Sequence, residues 1–85
     1  MERTVMIKNP TGLHARPAAM LVQKASGFPC EITLVKGDKK ANAKSIMNVL
    51  ALGIGANEQV TIITAGEQEA EALLAISDFL ESLAE

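Results

Sequence analysis

The residues best suited to chemistry lie together in Gly12-Leu13-His14-Ala15-Arg16-Pro17-Ala18, where the chain's only histidine stands beside an arginine and a proline able to open a helix. An imidazole held at a helix entrance can carry a phosphoryl group, because unpaired backbone N–H groups and the positive end of the helix dipole favour an anion there. Proline fits such a first turn, where its missing N–H costs nothing. Imidazole is a competent nucleophile near pH 7 without a strong base, and its phosphoramidate is a reactive donor. In-line transfer asks for positioning and charge compensation, which Arg16 and the N–H groups of the helix start around Ala15 and Pro17 are placed to give. Taken alone, a histidine after a turn is equally a polar cap.

A second candidate is Ser45, which is set to cap a short helix running to about Leu52, its hydroxyl accepting a backbone N–H of the first turn. On that helix core packing is open to each of Ile46, Met47 and Leu50, and Val49 with Leu52 is the better candidate for it.

The elements that must position these residues are short and mixed in order. Thr4 to Lys8 alternates, with Val5 and Ile7 on one side, and ends at the turn signal Asn9-Pro10-Thr11-Gly12. From Ala15 to Ser26 the period is helical, with Ala18, Leu21, Val22 and Ala25 on one face and Gly27 as a stop. Ile32 and Leu34 mark a strand, Lys36-Gly37-Asp38-Lys39 a hairpin turn, and Lys40 to Ala43 a second strand. Gly53, Gly55 and Asn57 read as a loop, Asn being one of the few side chains that accept a left-handed backbone. Val60 to Ala65 is a β-branched strand, followed after Gly66 by an amphipathic helix to about Leu83 with Leu73, Ile76, Leu80 and Leu83 inside. Glu67, Glu69 and Glu71 are expected in its first turns, complementing the dipole. The order predicts an α+β fold, a four-stranded sheet with helices on one face.

A chain of 85 residues allows one small domain, here 1–85, with little room for an enclosed cavity, so a surface site is expected. Phe28 and Phe79 are the only aromatic residues, too few to stack bases, and direct nucleic-acid binding is not expected. Through Lys44 the chain has eight basic and three acidic residues, and from Ser45 onward seven acidic and none basic. Most of these charges suit solvated positions, but Arg16, Lys24, Lys39, Lys40 and Lys44 are also candidates for a basic rim that meets a phosphate or an acidic partner. Cys30 is alone, which excludes an internal disulfide, and with only His14 beside it no zinc ligand set forms. No metal or cofactor is called for. The start at Met1-Glu2-Arg3-Thr4 lacks a secretory pattern and no stretch is long enough to span a bilayer, so a cytoplasmic location without membrane insertion is expected.

Two motifs, NPTGLHARPAA from Asn9 to Ala19 and AKSIMNVLALGIG from Ala43 to Gly55, resemble HPr, the histidine-containing phosphocarrier family of the bacterial sugar phosphotransferase system. The likeness extends over essentially the whole chain. It implies an open-faced β-sandwich with antiparallel strands in the order 1-4-2-3 and three helices on one face. It further implies that His14 takes a phosphoryl group on Nδ1 from phospho-enzyme I and passes it to sugar-specific IIA domains, with Arg16 as the charged neighbour. Such a protein is a relay, not an enzyme, and is expected to be a monomer. In HPr proteins of many low-GC Gram-positive bacteria the serine matching Ser45 is phosphorylated by a bifunctional kinase/phosphorylase, in carbon catabolite control that also involves a transcription factor. Plain capping explains the same serine. The resemblance makes Ile46, Met47 and Leu50 an exposed docking patch. Asn48 stands where glycine is frequent, Asn57 where glycine is usual, and Gln68 where an acid is common.

The alternative within this resemblance is a regulatory binding module, a catabolite-repression or nitrogen-related paralogue working through protein contacts, or a domain of a larger protein. The best-known repression paralogue lacks the histidine that this chain retains. A small α+β metabolite-binding domain is a more distant reading and leaves the two motifs unexplained.

Overall fold

The computed structural model describes residues 1–83, so the last two positions of the expected 1–85 domain lie outside the described residues. The elements are β1 (Glu2–Ile7), α1 (Ala15–Ala25), β2 (Glu31–Lys36), β3 (Lys39–Asn42), α2 (Ile46–Ala51), β4 (Glu58–Ala65) and α3 (Glu69–Glu81). The strands form one antiparallel sheet in the order β1-β4-β2-β3, as expected.

Strand alternation decides which face is covered. Val5, Ile7, Ile32, Leu34, Ala41, Val60 and Ile62 are buried and form one core with Leu21 and Ala25 of α1, Val49 of α2, and Ala72, Ile76 and Leu80 of α3. The opposite face carries Thr4, Met6, Thr33, Val35, Thr61 and Ile63, which are exposed or half-buried, with Thr4 and Thr61 joined through their hydroxyls at 2.8 Å.

Several boundaries differ from those the sequence suggests. β1 begins at Glu2 and β4 at Glu58, because the pairing runs from Glu2↔Ile63 to Ile7↔Glu58 and recruits residues with no β-propensity of their own. The β2–β3 turn is two residues long: Lys36 pairs with Lys39, and Gly37 adopts φ +61°. β3 therefore lies one residue earlier than expected. α3 starts at Glu69, not directly after Gly66, so Glu67 falls outside the first turn that Glu69 and Glu71 occupy. The cause is Gln68, left-handed at φ 64°, together with the Glu69 carboxylate, which accepts the Gly66 N–H at 3.0 Å. α3 ends at Glu81, short of the expected Leu83, which lies beyond it and is half-buried like Leu73, while Ala72 and Ser77 fill the inner stripe beside Ile76 and Leu80. Val22 of α1 is likewise half-buried. Among the described residues no helix is long and apolar enough to cross a membrane.

Candidate functional site

The loop after β1 is built to present one side chain. Asn9 is buried and its amide donates to the Gly12 carbonyl at 2.8 Å and to the Thr11 hydroxyl at 3.3 Å, while the Gly12 N–H returns to the Asn9 carbonyl at 3.1 Å. Gly12 has φ +65°, and a Cβ there would stand 2.6 Å from the Ile54 carbonyl oxygen and 2.7 Å from the Gly55 Cα. Only glycine satisfies both the backbone and the contact. Leu13 follows, 3% exposed in the core, and its N–H donates to the Ile54 carbonyl at 2.9 Å. With Leu13 anchored inward, burial of a leucine being worth about 1.5–3 kcal/mol, the next side chain is turned out to solvent.

That side chain is His14, exposed at the N-cap of α1 with φ −103° and ψ −156°. Its carbonyl accepts the first helical hydrogen bond, from Ala18 at 2.9 Å, but its imidazole caps nothing. The N–H groups of Ala15 and Arg16 belong to the first turn, which has no intrahelical acceptors, and Pro17 contributes none. No acidic residue lies in that turn, so the positive end of the helix is uncompensated. Arg16 is exposed and makes no ion pair among the described residues. Thr11, His14, Arg16 and Pro17 line one shallow open cleft. Chemically, this is a nucleophilic ring beside free amides and a free guanidinium: an arrangement for an anion that arrives and departs from solvent.

Ser45 lies on another element. It is the N-cap of α2, and its hydroxyl accepts from the Asn48 N–H at 3.4 Å and from the Asn48 side-chain amide at 3.1 Å. Val49 and Leu52 are buried, as expected, and Ile46, Met47 and Leu50 are exposed by 38%, 73% and 38%. α2 packs against α1, but the cleft at His14 includes neither Ser45 nor these three residues. Met47 instead lines a groove with Lys39, Lys40 and Asn48.

The five basic residues do not form one rim. Lys24 occupies the last turn of α1, about 12 Å along the axis from Arg16. Lys44 is spent on the Phe28 carbonyl at 2.6 Å. Lys39 and Lys40 flank α2, leaving Arg16 as the cation in the histidine cleft.

Three contributors were not assigned from the sequence. Asn48 was identifiable as a partner of Ser45 from its spacing, three residues on, the reach of a capping box. Asn9 looks like an ordinary turn residue, and only the structure shows it buried. The third is the pair Lys36 and Glu58, whose ends meet at 3.1 Å. The Gly55 N–H and then the Lys36 ammonium hold the Glu58 carboxyl below its ordinary pKa. No local signal announces that contact.

Comparison with known proteins places the fold and the family. The family model described as "PTS HPr component phosphorylation site" matches residues 1–82. The chain is 48% identical over 81 residues to the HPr-like protein Crh of Halalkalibacterium halodurans, covering 95% of this chain and 96% of that one. Among solved structures, HPr-C-His from Thermoanaerobacter tengcongensis superposes with a TM-score of 0.93 at 49% identity, covering 96% of this chain and 92% of that one. Crh of Bacillus subtilis, described as an intertwined dimer with a swapping domain, matches with a TM-score of 0.80 at 41% identity over 95% and 93%. With the family model matching residues 1–82 and a solved HPr structure superposing with a TM-score of 0.93 at 49% identity, the chain belongs to the HPr family.

Proposed function

We propose that this protein is a phosphocarrier of the sugar phosphotransferase system. His14 Nδ1 attacks the phosphorus presented by phospho-enzyme I as the bond to the donor breaks, and a IIA domain then takes the group by the reverse displacement. The observation that carries this reading is the exposed imidazole at an N-cap that it does not itself fill. Arg16 balances charge, the Ala15 N–H faces the anion, and Pro17 sets the start of the helix. The chain acts as one domain over 1–85, as a cytoplasmic monomer, and catalyses no complete reaction of its own. Ile46, Met47 and Leu50 form the docking patch for enzyme I and IIA.

Ser45 is the regulatory position in the same proposal, open to an HPr kinase/phosphorylase. Added phosphate at the start of α2 places about two negative charges beside a partner-binding face and repels an acidic partner. A second reading, a catabolite-repression module that contacts a transcription factor, is favoured by the likeness to proteins named Crh. His14 itself separates the two, since a pure repression module has no use for it.

The deciding experiment mixes the protein with enzyme I, magnesium and labelled phosphoenolpyruvate. Acid-labile label on wild type and none on His14→Ala supports the carrier. Equal labelling of both, or labelling of neither, overturns it, and an acid-stable product at Ser45 in a separate incubation with ATP and the HPr kinase/phosphorylase, without histidyl labelling in the first mixture, selects the repression module.

A further inference from the structure

The segment on which the histidine loop rests buries its Leu52 and Ile54 side chains in the core and is tied along its backbone by one ion pair. Lys36, at the end of β2, extends its ammonium to Glu58 Oε1 at 3.1 Å, to the Gly53 carbonyl at 2.8 Å and to the Leu52 carbonyl at 3.4 Å. Glu58, the first residue of β4, uses the same oxygen to accept the Gly55 N–H. Two side chains thus pin residues 52, 53 and 55 from both sides, with the lysine lying where the last carbonyls of α2 concentrate negative potential. Between the pinned points lies Ile54, whose carbonyl accepts the Leu13 N–H at 2.9 Å and, with Gly55, forms the surface against which Gly12 is pressed. Leu13 is joined directly to His14.

We propose that Lys36 and Glu58 are positioning residues for His14: they fix the 52–55 segment, which fixes Gly12 and Leu13, and so set where the imidazole stands over the start of α1. The catalytic part of this inference rests on the phosphocarrier reading; the mechanical part does not. An exposed ion pair by itself stabilises little. This one differs because each charge is also spent on backbone groups of a single segment, so its loss frees that segment locally while the remaining core stays intact. Charge alone is insufficient: reversing the pair restores attraction but leaves the Gly53 carbonyl without its donor and the Gly55 N–H without its acceptor.

The test compares wild type with Glu58→Ala, Glu58→Gln, Lys36→Met and the charge-reversed double variant. Amide hydrogen exchange at Leu13 and nitrogen chemical shifts at Gly12, Leu13 and Ala15 report the loop without any partner protein. Leu13 exchange is expected to rise roughly tenfold in Glu58→Ala, Lys36→Met and the reversed pair, and least in Glu58→Gln, which keeps an acceptor for Gly55. Exchange in the core of β4 stays as in wild type. With enzyme I, kcat for labelling His14 falls roughly tenfold in the same variants while KM holds, because the docking face is untouched. Wild-type exchange at Leu13 in both Glu58→Ala and Lys36→Met overturns the proposal, as does full recovery in the reversed pair. If wild type takes no label at all, the carrier reading fails, and the exchange data still decide whether the pair holds the loop.

Discussion

The side-chain amide of Asn48 donates to the Ser45 hydroxyl at 3.1 Å, closer than the Asn48 backbone N–H at 3.4 Å that a cap is ordinarily taken to serve. The cap of α2 is therefore double. Ser45→Ala removes both bonds and is expected to lower unfolding free energy by about 1 kcal/mol. Asn48→Ala removes only one, at a cost of about 0.5 kcal/mol. Urea unfolding of the two single variants and the double variant measures this, and additive losses would show that the two residues are uncoupled.

Gly12 is the least replaceable loop residue. Gly12→Ala meets both a left-handed backbone and the Ile54 carbonyl at 2.6 Å, and is expected to destabilise by about 2–3 kcal/mol. Gly53→Ala makes the comparison fair, since Gly53 has φ +62° with open space around it. Its smaller loss isolates the part due to the close approach.

At the cleft, stability and activity should part company. His14 and Arg16 are exposed and neither is bonded into the core, so His14→Ala and Arg16→Ala are expected to change unfolding free energy by no more than about 0.5 kcal/mol. On the proposed function the first abolishes labelling by enzyme I and the second slows it by about 10- to 100-fold. A large loss of stability in either would instead make these residues structural.

Acid tests Glu58. Its carboxyl is held below its ordinary pKa by the Gly55 N–H and by Lys36, so the folded state binds its proton less readily than the unfolded state. The resulting stabilisation is complete above the ordinary glutamate pKa of about 4.3 and disappears as pH falls through the lower folded value. Urea midpoints measured between about pH 6 and pH 3 should fall more for wild type than for Glu58→Gln, and parallel curves would refute the assignment.

How much of this was legible in the sequence depends on the range of each signal. The exposed His14, the glycine turn before it, and the burial of Val49 and Leu52 follow from neighbours a few residues apart, whereas the exposure of Ile46, Met47 and Leu50 came from the family resemblance, since local pattern left each of them open to the core. Strand starts at Glu2 and Glu58 do not, since a partner strand sets them. Glu67 was misplaced because Gln68 adopts a conformation that sequence reading grants to glycine or asparagine. Lys36 and Glu58 come from different strands, and the basic rim dissolves because helix length and a Phe28 carbonyl draw its members apart.

The empty cap at α1 also bears on how the loaded and unloaded forms differ. Most helices bring their own lid, a serine or aspartate worth about 1 kcal/mol, whereas this one begins at an imidazole that closes nothing. On the proposed function the cargo becomes the lid. A phosphorylated chain is then tighter at its first turn than a bare one, and delivery to the next protein leaves behind a slightly looser molecule, distinguishable by stiffness as well as by charge.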